Sequence, residues 1–76
     1  MDIRVVFASN LKHYRQARGL TQAALAAAMD VDRAHVSAME RGQQNVTLQT
    51  LGRVAAHLDV APAQLIEERA EGDVRS

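Results

Sequence analysis

The stretch Thr21 to Gly42 reads TQAALAAAMDVDRAHVSAMERG, and it decides the fold. Apolar residues stand at Leu25, Ala26 and Met29, then at Val31, then at Val36 and Met39. Leu25 to Met29 is one helical turn, and so is Val36 to Met39, so the spacing predicts two short helices, about Gln22 to Met29 and Arg33 to Arg41. Met29-Asp30-Val31-Asp32 between them leaves room only for a corner. Thr21 stands where an N-cap opens the first helix, and Asp32 where one opens the second. Gly42 offers the left-handed backbone that ends the second.

Two helices crossing steeply over so short a turn must approach closely. Ala26 supplies a small contact, and Val31 plugs the corner from outside. This is the arrangement of a helix-turn-helix. Upstream, Ile3, Phe7, Leu11 and Tyr14 form one apolar stripe and predict a helix over Ile3 to Arg18. Asp2 caps its start, Gly19 ends it, and Leu20 turns inward. The AALAAA run suits a helix too short to be stable alone. Downstream, GQQNV (Gly42 to Val46) is a polar loop, and Thr47 is the next N-cap. Leu48, Leu51, Val54, Ala55 and Leu58 predict a fourth helix, Leu48 to Leu58, that tolerates Gly52 at about 1 kcal/mol relative to Ala. Asp59-Val60-Ala61 reads as a link. Pro62 is suited to the first position of a fifth helix, Pro62 to Glu68, with Leu65 and Ile66 apolar. The expected architecture is an all-α bundle of five helices in a single domain, residues 1–69, with a fraying tail over 70–76.

A chain of 76 residues is one small domain. Such domains are marginal alone, and dimerisation is a natural remedy. There is no Cys, hence no disulfide or thiolate chemistry. No apolar run is long enough to span a membrane, and the opening MDIRVVFASNLKHYRQ is too polar for a secretory signal. A cytoplasmic location is expected, and the Asn45-Val46-Thr47 sequon is read as chance. Net charge is zero but unevenly placed. Residues 1–53 hold seven basic and four acidic groups, and residues 54–76 hold two basic and five acidic ones. The helix-turn-helix therefore lies in a part of charge +3, with modest, salt-sensitive affinity expected for nucleic acid.

The chain resembles the phage repressor/Cro-like (lambda-repressor-like) helix-turn-helix family. The matching residues are Thr21-Gln22, Leu25-Ala26, Val31, Val36-Ser37, Met39 and Glu40-Arg41-Gly42, and the likeness runs from about Phe7 to Leu65. One departure is Asp30, at a turn position where the family has Gly. Asp tolerates the left-handed conformation at some energetic cost. The resemblance implies a sequence-specific DNA-binding transcriptional regulator that binds palindromic double-stranded DNA as a homodimer. It puts Arg33, Ala34, Ser37 and Ala38 on the exposed face of the second motif helix, at base edges in the major groove, with His35 at the border. Arg33 suits a bidentate contact to guanine, and the two alanines suit a thymine methyl. A solvated helix face is the alternative. Gln22, and Thr21 beyond its capping role, are implied phosphate contacts. Arg41, Gln43, Gln44 and Asn45 form a loop that touches the sugar–phosphate backbone or is merely solvated. Arg15 and Glu40 are implied partners in a partly buried ion pair that locks the first helix to the second motif helix. Leu58, Val60, Leu65 and Ile66 are candidates for the dimer surface, closure of the monomer core being the alternative.

His13, His35 and His57 are widely spaced and show no ligand pattern. Neither a metal nor another cofactor is expected. No serine has a partnered base, no glycine-rich phosphate loop occurs, and nothing supports catalysis. The run from Asp32-Arg33 through Ser37 and Glu40-Arg41-Gly42 to Asn45-Val46-Thr47-Leu48 also looks like restriction–modification controller proteins. Two other readings stay open. One is an antitoxin with a toxin protein as main partner. The other is a protein-interaction module of the same fold without DNA binding, to which zero net charge lends weight.

Overall fold

The computed structural model describes residues 1–69. It holds helices α1 (Ile3–Ala17), α2 (Gln22–Met29), α3 (Arg33–Glu40) and α4 (Leu48–Leu58), followed by one 3-10 turn, Pro62–Leu65. The fraying expected over 70–76 lies outside the described residues. Each of the five elements sends one side chain without exposed surface into a common core: Leu11, Leu25, Val36, Val54 and Leu65. Helix α2 packs chiefly on α3, and α1 backs both α3 and the 3-10 turn.

Side chains open three of the helices. Asp2 Oδ1 accepts the Arg4 N–H at 3.0 Å, Thr21 Oγ1 the Ala24 N–H at 3.0 Å, and Thr47 Oγ1 the Thr50 N–H at 3.0 Å. The Arg4 side chain, and after it the Arg4 N–H, holds the Asp2 carboxyl below the usual carboxylate range. Asp32 occupies the N-cap of α3 as expected, but its side chain makes no capping bond.

Helices α1, α2 and α4 end alike. Gly19, Asp30 and Asp59 take left-handed backbone, with φ of 70°, 59° and 58°. The next N–H in each case, from Leu20, Val31 and Val60, reaches back to the carbonyls of Arg15, Ala26 and Ala55 at 3.0–3.1 Å. This is the Schellman closure, and its apolar following residue packs on the core.

The fifth helix expected from Pro62 to Glu68 is instead a single 3-10 turn. Gln64 and Ile66 donate to Ala61 and Ala63, three residues back, at 2.9 and 3.1 Å. Asn10 Nδ2 then donates to the Leu65 carbonyl at 3.0 Å and the Glu67 carbonyl at 2.8 Å. Carbonyls two residues apart lie on opposite sides of an α-helix, so one amide cannot hold both there. With only Leu65 buried in this segment, no apolar stripe favours a longer helix.

Candidate DNA-binding face

Helix α3 has two unlike sides. Val36 and Met39 are buried against α1 and α2. Arg33, Ala34 and His35 are exposed, and Ser37 and Ala38 are half-buried at the foot of that face. Positions 33, 34, 37, 38 and 41 share one side, because steps of three and four return to the same face of a helix. Arg33 has no hydrogen-bond or ion-pair partner among the described residues.

The rear of α3 is held by a charged lock. Arg15 Nε donates to Glu40 Oε2 at 2.5 Å, and Arg15 Nη2 donates to Glu40 Oε1 at 3.1 Å. Both side chains are nearly closed off from solvent, 9% and 5% exposed. Arg15 Nη1 also donates to the Leu20 carbonyl at 2.7 Å, so one guanidinium ties α1, the α1–α2 turn and α3 together. Gln22 Nε2 adds a bond to Glu40 Oε1 at 3.1 Å. The start of α2 is thereby fixed relative to the end of α3. Gln22 retains its second amide hydrogen and its oxygen for an outside contact, and Thr21 Oγ1 is engaged in its cap.

Arg41 lies closer to the helix than its place in a loop suggests. Its Nη1 donates to Ser37 Oγ at 2.9 Å, one turn back, and its Nε reaches Gln43 Oε1 at 3.4 Å. Ser37, Arg41 and Gln43 thus form one polar ridge beside Arg33. Gln44 and Asn45 continue the exposed loop.

The dimer-surface candidates divide. Leu58 and Leu65 are buried in the monomer core and offer a partner no area, so for these two the core alternative holds. Val60 is half-buried behind the α4 terminus, and Ile66 is exposed. Leu48, placed by periodicity on the inner stripe of α4, is instead 86% exposed.

Two residues of structural weight escape a reading by motif. Asn10 is buried, and its place one turn after Phe7 and beside Leu11 in the α1 stripe is the signal that a polar group faces inward. Arg53, one of the seven basic groups in residues 1–53, donates through Nη2 to the Met29 carbonyl and thereby caps the end of α2. No short-range pattern marks that contact.

A helix-turn-helix family profile matches residues 11–65. The chain belongs to the helix-turn-helix family. It is a DNA-binding transcriptional regulator of that family by its relatives. A Neisseria meningitidis hypothetical transcription factor is 40% identical over 65 residues, covering 86% of this chain and 61% of that protein. The regulator thus spans about three fifths of that relative's length. Control protein C.MunI of a Mycoplasma species is 34% identical over 68 residues, covering 88% of this chain and 92% of the other. The solved restriction–modification controller C.AhdI from Aeromonas hydrophila superposes with a TM-score of 0.76 at 40% identity, over 82% of this regulator and 94% of that chain.

Proposed function

We propose that this helix-turn-helix regulator binds palindromic operator DNA as a homodimer in the cytoplasm, with half-sites about one helical turn, roughly 34 Å, apart. The observation that carries the reading is α3: one side locked to the core through Glu40, the other presenting an unpartnered Arg33 beside small side chains. Arg33 reads a guanine edge, and Ala34 and Ala38 let the helix sit deep in the groove against thymine methyls. Gln22 meets a phosphate at the α2 N-terminus, where backbone N–H groups point outward. Arg41, steadied by Ser37, meets the phosphate backbone together with Gln43, Gln44 and Asn45. Likeness to C.MunI and C.AhdI over nearly their whole lengths supports a finer role, control of a restriction–modification operon. The regulator acts by binding alone, without a cofactor and without catalysis.

Selection of bound sequences from a random duplex pool, at two salt concentrations, tests this. An enriched palindrome with half-sites about ten base pairs apart is the expected result. No enrichment, with weak binding at both salts, would shift the main ligand from DNA to a protein such as a toxin.

A further inference from the structure

Positions 9, 12, 13 and 16 fall on one face of α1, because steps of three and four return to the same side of a helix. The sequence puts Ser9, Lys12, His13 and Gln16 there. Arg69 joins them from the far end of the fold, where its Nη2 donates to Ser9 Oγ at 2.8 Å. These five residues line a hollow of about 210 Å³. At about 30 Å³ for each water of the liquid, that is room for a small oxyanion and its remaining hydration. None of the five belongs to the candidate DNA-binding face.

We infer that this hollow takes a phosphate group. Three observations carry the inference. The first is the lining. Each of the five side chains can donate a hydrogen bond, and none is a carboxylate. The Ser9 hydroxyl accepts from Arg69 and keeps its own hydrogen for a ligand. The second is charge left uncompensated. The chain carries nine basic and nine acidic groups, and the exposed Arg4 and Arg18 each stand within 3.4 Å of an aspartate. Lys12 and Arg69 line one hollow, and among the described residues neither forms an ion pair. Glu68, next to Arg69 in the chain, lines the neighbouring groove rather than this one. Two cations lining one space repel each other unless an anion lies between them. The third is geometry. An ammonium from α1 and a guanidinium fork from the segment after the 3-10 turn reach the hollow from different elements, which suits a tetrahedral phosphate better than a planar carboxylate. Ser9 holds the fork, and the His13 ring stands edge-on to Tyr14 with centroids 4.9 Å apart, so part of the site is set before a ligand arrives. The phosphate belongs either to the DNA backbone or to a free phosphorylated molecule, and the chemistry at the site is the same for both.

The test uses the full chain, titrated with inorganic phosphate at constant ionic strength and followed by amide NMR shifts. Wild type should saturate, with the shifts centred on α1 from Ser9 to Gln16 and on Arg69. Lys12→Gln and Arg69→Gln should each raise the dissociation constant about tenfold, the loss expected of one charge-assisted bond. Lys12 is exposed on a helix that glutamine also suits, so Lys12→Gln keeps the fold even if Arg69→Gln loosens the end of the chain. Arg18→Gln removes the same charge outside the hollow and should leave the constant unchanged. Shifts that rise without saturating, or a loss in Arg18→Gln equal to that in the other two, would overturn the site. The selected duplex, alone and lengthened by about ten base pairs at each end, then identifies the source. Weaker binding of Lys12→Gln and Arg69→Gln to either duplex assigns the site to the DNA backbone. Equal binding of wild type and variants to both duplexes, with phosphate still saturating wild type, assigns it to a free phosphorylated molecule.

Discussion

Asp59 holds a backbone conformation that glycine enters at lower cost. Its φ of 58° matches the 59° of Asp30, and both residues sit in the same local sequence. Ala26-Ala27-Ala28-Met29-Asp30-Val31 and Ala55-Ala56-His57-Leu58-Asp59-Val60 share the pattern Ala-Ala-x-apolar-Asp-Val, and both close by the same backward bond from valine. The first copy is legible because it falls inside a motif with a known corner. The second reads as a plain link by its sequence, although its residues carry the same signal. Asp59→Gly removes the steric cost of the left-handed region but adds chain entropy to the unfolded state. The expected net gain is about 0.5 kcal/mol, or ~2–4 °C in melting temperature. Thermal unfolding followed by circular dichroism checks it, and a lowered melting temperature would mean that the Asp59 carboxylate, 3.4 Å from Arg18, contributes more than the strain costs.

At the scale of elements, periodicity carries far. The four α-helices fall within one residue of their expected bounds, since each has an apolar stripe and a cap. Two things were not legible. The segment after Pro62 has a helix-opening residue but no stripe, and its course is set by Asn10, 55 residues away from Leu65 in the chain. Leu48 lies in phase with Leu51 and Leu58, but phase says nothing about where the opposing element stops. Leu48 opens α4 outside the core, and the stripe is covered only from Leu51 onward. The arrangement of α1 against α3 depends on the Arg15–Glu40 lock. Glu40→Gln leaves a nearly buried guanidinium without its anion, with an expected loss of about 3 kcal/mol or more. The melting temperature should fall by ~10 °C or more, while the base preference of the folded fraction, measured at low temperature, should be unchanged. An unaltered melting curve would remove the lock from the account of stability.

For the whole molecule, charge counted along the chain overstates the charge available to DNA. Of the seven basic residues before position 54, Arg15 is locked to Glu40, Arg53 caps α2, and Arg4 and Arg18 are paired with Asp2 and Asp59. Lys12 stands exposed on α1, and Arg33 and Arg41 remain on the candidate face. A dimer contributing these four arginines should show log K against log salt with a slope of about −4 or shallower. Titration of the selected duplex at graded salt measures it, and a slope twice as steep would mean that further cations reach the phosphates. The contact between Asn10 and the carbonyls of Leu65 and Glu67 also bears on the order in which this protein comes into being. Synthesis runs from the N-terminus, so α1 emerges with a polar side chain destined for the interior and no acceptor yet made. Its acceptors are nearly the last part of the fold to leave the ribosome. The growing chain can form its helices one by one, but α1 cannot settle into its final seat until the segment that holds Leu65 and Glu67 has been made.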